Sequence, residues 1–175
     1  LLTRLINLGI SVYAAHTPFD KAEGGNNDYI ADLHGLCDTG SLTVNGEEEA
    51  SGRVGQFLEK KTLREAEQLV KSQLELEDIR TVGPSETEVK TVAVCTGAGS
   101  ELLEIAVENG CQLLVTGDVK YHEAQKAKEL GICVIDAGHY GTEKFFSRNF
   151  ALQLSEQVLD AVEVLESEID IDPFN

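Results

Sequence analysis

The chain has 175 residues, with 14 basic against 31 acidic side chains and a formal charge of −17. That length admits one domain or two small lobes, and 42% hydrophobic with 26% charged residues is ordinary for a globular chain and unlike a disordered one. So large an acidic excess speaks against binding nucleic acid or an anionic membrane leaflet, since both need clustered Lys and Arg.

No apolar run approaches the roughly 20 residues that a membrane span requires. No basic region followed by an apolar stretch opens the chain, so no signal peptide is visible. Position 1 is Leu, not Met, and we expect further residues to precede it. Cysteines stand at 37, 95, 111 and 133, far apart and without a CxxC pair, which favours free thiols and a reducing, cytoplasmic setting.

In chain order, Ile10 to Ala15 reads as a short strand ending at His16, and Thr17 to Asn27 carries turn chemistry. Asp28 to His34 reads as a helix with Asn27 as its N-cap and Gly35 as its stop. Residues 38–56 are rich in Gly, Ser and Glu, with a strand at Gly52-Arg53-Val54-Gly55. A helix starts at Thr62, where Thr62 and Glu65 form a T-x-x-E capping box and Leu63, Ala66, Leu69, Val70 and Leu74 recur at helical spacing. Gly83-Pro84-Ser85 then divides the chain into residues 1–84 and 85–175.

Beyond that point strands and helices alternate. Strands are expected at Thr91–Cys95, Leu113–Val115 and Ile132–Ile135, and helices at Glu101–Asn109, closed by Gly110, and about Lys120–Leu130, closed by Gly131. Near-continuous apolar strands between capped helices indicate an α/β fold with a parallel sheet covered on both faces. A long helix is expected from Thr142 to about Leu165, because Phe146, Phe150, Leu154, Val158 and Val162 repeat every four residues. The acidic last ten residues should fray.

In such folds ligands bind beyond the carboxyl ends of the strands. His16 and Asp20, Gly97 to Ser100, Thr116-Gly117-Asp118, and Asp136 to Glu143 occupy those four places. Three of the four histidines have a carboxylate four positions away: His16…Asp20, Asp118…His122 and His139…Glu143. Imidazole beside carboxylate suits Zn, Mn, Fe, Co or Ni, although in a chain with 31 acidic residues the spacing also arises by chance. The glycines around His139 let backbone approach an ion closely. Gly97-Ala98-Gly99-Ser100 reads either as an anion-cradling turn or as a tight turn with Ser100 as N-cap. It lacks the third glycine of a dinucleotide fingerprint. Thr116-Gly117-Asp118 reads as a turn that could supply an N-cap. His34 reads as an ordinary residue near a helix end.

Five segments occur in order: His16-Thr17-Pro18-Phe19-Asp20, Gly24-Gly25-Asn26-Asn27-Asp28, Gly52-Arg53-Val54-Gly55, Thr116-Gly117-Asp118-Val119-Lys120-Tyr121-His122, and Asp136-Ala137-Gly138-His139-Tyr140-Gly141-Thr142-Glu143. Together they resemble the dinuclear-metal-centre family known as GTP cyclohydrolase type-two homologues, the Nif-three-like proteins. Pro18 stands where that family commonly carries Asn. The resemblance implies two related α/β lobes with sheets covered by helices, a site for two divalent metal ions in the cleft between them, and a homohexameric ring. Carried over by position, Asp20, His139 and Glu143 match metal ligands, and His16 matches a residue beside the metals, either as a further ligand or just behind the ligands. The remaining ligands would come from a paired-histidine motif N-terminal to residue 1; no adjacent His-His occurs in this sequence.

The expectation is a metal-dependent hydrolase of a small nucleotide- or phosphate-containing molecule, with Asp118 and His122 as proton-transfer candidates. A non-catalytic metal-binding regulatory or interaction module is the alternative, and a metal-free nucleotide binder using residues 97–100 is a third. Arg53 and Arg148 are candidate subunit contacts.

Overall fold

The computed structural model describes residues 1–158 and 162–174, and the side chains of all of these but 49 and 50. Six strands form one sheet in the order β1-β2-β4-β5-β6-β3. They span Cys37–Val44 (β1), Glu47–Thr62 (β2), Arg80–Val82 (β3), Glu88–Ala98 (β4), Leu113–Gly117 (β5) and Cys133–Asp136 (β6). The strands β4, β5 and β6 are mutually parallel, as their apolar runs predict, and the remaining pairings are antiparallel. The sheet is therefore mixed. Strands from both sides of residue 84 share it.

The period of two in the parallel strands builds two cores. Val92, Val94, Leu113, Val115, Cys133 and Ile135 face one side, where they meet Ile30 of α3 (Asn26–Leu33) and Leu63, Ala66 and Val70 of α4 (Leu63–Gln73). Ala93, Cys95, Leu114 and Val134 face the other, against Leu103 and Ala106 of α5 (Leu103–Glu108) and Ala127 of α6 (Tyr121–Leu130). A one-residue slip would exchange these sets, so the register is firmly specified. No disulfide joins the four cysteines, three of which are buried.

The helix at Thr62 begins as predicted: the Thr62 hydroxyl accepts from the Glu65 N–H while the Glu65 carboxylate accepts from the Thr62 N–H. Gly131 closes α6 in the left-handed conformation, with φ 75°. Elsewhere the boundaries differ. The helix expected at Asp28 starts at Asn26 with Gly25 as its cap, because Asn27 is fully buried and spends its amide on more distant backbone. Residues 37–62 form a hairpin whose turn, Asn45-Gly46, takes positive φ at both positions (53° and 83°), the geometry that matches strand twist.

The strand expected at Ile10–Ala15 is absent. A short helix α1 (Leu2–Asn7) precedes it, and the segment lies exposed with no ladder among the described residues. The long helix expected from Thr142 is two pieces, α7 (His139–Glu143) and α8 (Phe146–Val158), because the chain turns at 144–145. Residues 159–161 of that expectation lie outside the described residues, and 162–174 carry no regular structure. One turn apart on α8, Phe146 and Phe150 stack 5.5 Å apart and receive the edge of Phe19 from α2 (Thr17–Lys21), at 5.4 and 5.2 Å. No helix of the described residues is long and apolar enough to cross a membrane.

His34, expected to be unremarkable, is 4% exposed, and neither ring nitrogen has a hydrogen-bond partner. Burial pushes its pKa down from 6.5 to about 4. The unfolded chain then binds the proton more tightly, so stability is lost as pH falls from about 6.5 to about 4. The full swing is on the order of 3 kcal/mol at 1.36 kcal/mol per pKa unit. Urea unfolding across that window should show the wild type losing stability relative to His34→Leu; a constant difference between the two would contradict the assignment.

Candidate functional site

The parallel strands deliver three loops to one edge of the sheet: β4 ends at Ala98, β5 at Gly117 and β6 at Asp136. From them come Gly97, Asp118 and His139. The His139 Nδ1 lies 2.8 Å from Asp118 Oδ2, and its Nε2 lies 3.3 Å from Glu143 Oε2, one helical turn on. A carboxylate can only accept, so the short contact assigns the His139 proton to Nδ1. With the ring neutral, the Nε2 lone pair faces the Glu143 carboxylate. Two acceptors so placed need a proton or a cation between them.

Asp20 arrives from α2, held by several partners. Asn26 Nδ2 donates to its Oδ1 at 3.2 Å, and Asn27 Nδ2 to its carbonyl at 3.0 Å. Asn27 also donates to Ser51 O and accepts from Thr96 N at 2.8 Å, which ties α2 and α3 to β2 and β4. Arg53 is 6% exposed; it pairs with Asp28 and donates to the carbonyls of Lys21 and Ala22. It is thus built into the interior and unsuited to the subunit contact expected of it.

The charges are coupled. Desolvation raises the pKa of Asp20, opposed by Asn26, His16 and His139. Desolvation also raises that of Glu143; His139 and His16 oppose it, and the charge of Asp20 adds to it. The His139 pKa is raised chiefly by its hydrogen bond to Asp118, with Glu143 contributing. Asp20, His16, His139 and Glu143 therefore share one neighbourhood although the chain separates them widely.

Gly97 is part of this geometry. Its φ is 66°, and a Cβ there would collide with Glu143 Oε1 and stand 3.2 Å from His139 Nε2. Its N–H is bound by the Thr142 hydroxyl at 2.9 Å, while Thr116 binds the N–H of Gly99 at 2.9 Å. Those two amides are occupied from within, so neither is open to an anion. Ser100 is likewise no N-cap; it opens a single 3₁₀ turn, and α5 has no side-chain cap.

The expected pairing of Asp118 with His122 does not form. Asp118 precedes α6 in a left-handed conformation (φ 54°) and turns to His139. It caps no helix, since Lys120 occupies the N-cap of α6. His122 is exposed on α6, with Nδ1 3.2 Å from Gln125 Oε1. Sequence reasoning did not single out Arg80, Asn27 or Thr142 as contacts of the site. A hollow of about 240 Å³ beside the pair is lined in part by Arg80, Asp118, Asp136 and Gly138. A larger one, about 580 Å³, lies between β3 and α6 and holds none of the residues gathered around His139.

The donor chemistry fits a borderline divalent cation: imidazole nitrogen backed by a carboxylate on its far side, a second carboxylate facing it, and a close glycine backbone. Among the described residues, however, no three His, Cys, Asp or Glu side chains are grouped so as to hold an ion by themselves.

The family described as Duf34/NIF3 (NGG1p interacting factor 3) matches residues 1–173. A GTP cyclohydrolase 1 type 2 homolog of Streptococcus pneumoniae is 33% identical over 178 aligned positions, which cover 98% of this chain and 66% of that protein. NGG1-interacting factor 3 of Saccharomyces cerevisiae is also 33% identical, over 98% of this chain and 63% of its own length. The chain thus spans about two thirds of these relatives, and 54% of a homologue from Clostridium acetobutylicum. Among solved structures, a Bacillus cereus protein related to NIF3 shares the fold with a TM-score of 0.87 at 24% identity, covering 99% of this chain and 75% of that one. A hypothetical protein of Staphylococcus aureus superposes with a TM-score of 0.88 at 23% identity, covering 99% and 71%. On the match of the family over residues 1–173, the chain belongs to the Duf34/NIF3 family.

Proposed function

We propose that this chain carries part of a divalent-metal site and that the protein is a metal-dependent hydrolase of a small nucleotide- or phosphate-containing molecule. The observation that carries the reading is His139 Nε2 facing Glu143 Oε2 at 3.3 Å while Asp118 Oδ2 lies 2.8 Å from Nδ1. Asp20, His139 and Glu143 would hold the cation, His16 would stand beside it, and further donors would complete the sphere. When bound, such ions supply Lewis-acid activation of water and charge stabilisation.

The chain's own residues do the rest. Asp118 keeps the Nδ1 proton in place, so that Nε2 stays available. Desolvation of Asp20 and Glu143 favours a cation beside them over bulk water. His122, exposed on the neighbouring helix, is available to move protons at the rim. The names of relatives support a GTP cyclohydrolase-like activity. We further propose a closed homo-oligomer, a hexamer by family resemblance, in which the exposed Leu2, Ile6 and Leu8 are covered. Light scattering that returned a monomer mass would reject it.

Metal analysis after dialysis against Mn²⁺ or Zn²⁺ tests the site. Wild type and His122→Gln should bind alike, and Glu143→Gln should not; equal binding by all three would remove the site. On a nucleotide panel His122→Gln should lower turnover about 10²–10⁴-fold. Metal binding without any turnover would favour the non-catalytic module. Gly97→Ala should weaken metal binding roughly 10–100-fold, since the methyl group displaces Glu143 and the backbone is held at positive φ.

A further inference from the structure

We propose that Arg80, on the edge strand β3, is a positioning residue that, with Asp136, fixes Asp118 against His139. The inference rests on the reading above that His139 Nε2 is the working atom. Arg80 and Asp136 are cross-strand partners in the β3–β6 ladder. The Asp136 side chain is 5% exposed; its Oδ2 accepts from Arg80 and, at 3.1 Å, from Val119 N, and its Oδ1 accepts from Gly138 N at 3.1 Å. Arg80 Nη2 also donates to Val119 O at 2.9 Å.

Both peptide groups of Val119 are therefore fastened to one ion pair. Val119 follows Asp118, whose φ of 54° is an unusual conformation for a residue with a Cβ. Gly138, fastened to the same carboxylate, precedes His139 and has φ 75°. The backbone points on either side of the Asp118–His139 contact, one on each loop, thus depend on the Arg80–Asp136 pair. Without Arg80, one hydrogen bond to the Val119 carbonyl and the charge partner of Asp136 are lost together. Asp118 is then free to leave its left-handed conformation and release Nδ1. A neutral histidine in water favours the proton on Nε2, so the lone pair facing Glu143 would be lost.

The role differs from that of a structural ion pair. The Arg80 side chain is 73% exposed, on a three-residue edge strand, where a replacement disturbs no core packing. Arginine suits the task because its Nη2 carries two N–H groups held in one plane, and that one nitrogen serves the Asp136 carboxylate and the Val119 carbonyl at once.

The test is ¹⁵N-histidine NMR of the apoprotein, at a pH where His139 is neutral. Wild type should show the Nδ1–H tautomer at His139. Arg80→Ala and Arg80→Gln should both move it toward Nε2–H, as Asp118→Asn should, while Arg80→Lys should restore part of the wild-type signature. Retention of the Nδ1–H signature in both Arg80→Ala and Arg80→Gln, with only a lowered Tm, would overturn the proposal. Mn²⁺ titration of the same samples should show the dissociation constant raised roughly 10–100-fold in Arg80→Ala. If wild type bound no Mn²⁺, the metal reading would fail, while the tautomer comparison would still decide the role of Arg80.

Discussion

Two carboxylates drawn partly out of water beside one imidazole set the terms for this structure. Asp20 and Glu143 each lose hydration, and the charge of Asp20 makes ionisation of Glu143 harder still. Their pKa values are raised on folding, so the folded chain holds their protons more tightly than the unfolded one. Stability therefore falls as pH rises through that interval. His16 and His139 offset part of the cost. A bound cation would offset more, because a ligand that binds only the folded state adds to its stability.

Such an arrangement persists only where the surroundings determine it. Glu143 and His139 sit one turn apart on a five-residue helix that Thr142 fastens to Gly97. Asp20 is carried on a five-residue helix with little hold of its own. Besides Asn26 and Asn27, its hold comes from the edge-to-face packing of Phe19 on Phe146 and Phe150, and from Asn149, which donates to Gly24 O at 3.2 Å. The turn at 144–145 is what brings α8 to that loop.

The parallel strands were legible because alternate residues face opposite cores, and each apolar run is bounded by a capped helix. The carboxyl-end residues followed from them. The hairpin was harder, since residues 38–51 look like loop by composition, although Asn45-Gly46 carried the signal. The helical repeat after Thr142 hid the turn at 144–145, because a four-residue spacing says nothing about where a segment pauses. Ile10–Ala15 has strand composition but no strand beside it among the described residues, and composition alone cannot supply a ladder. Asn27 has the side chain of a cap, but capping and long-range bonding use the same amide, and here the distant backbone takes it. Arg80 had no local signature, since its partners lie 39 and 56 residues away.

Arg53 and Arg80 solve the same problem at two places. Each pairs with an aspartate and donates to backbone carbonyls beside a site residue: Lys21 and Ala22 next to Asp20, Val119 next to Asp118. In a chain with 14 basic against 31 acidic residues, two arginines are thus spent on backbone. At Arg53 the fork itself is used, with Nε on the Asp28 carboxylate and Nη2 on the two carbonyls, a span that a lysine lacks, whereas at Arg80 one Nη2 serves both acceptors. The geometry has an electrostatic consequence as well. Each guanidinium is already paired with an aspartate, Asp28 or Asp136, so its charge is largely spent before it reaches Asp20 or Glu143. The arginines can therefore fix the loops at the site without neutralising the carboxylates that favour a cation there.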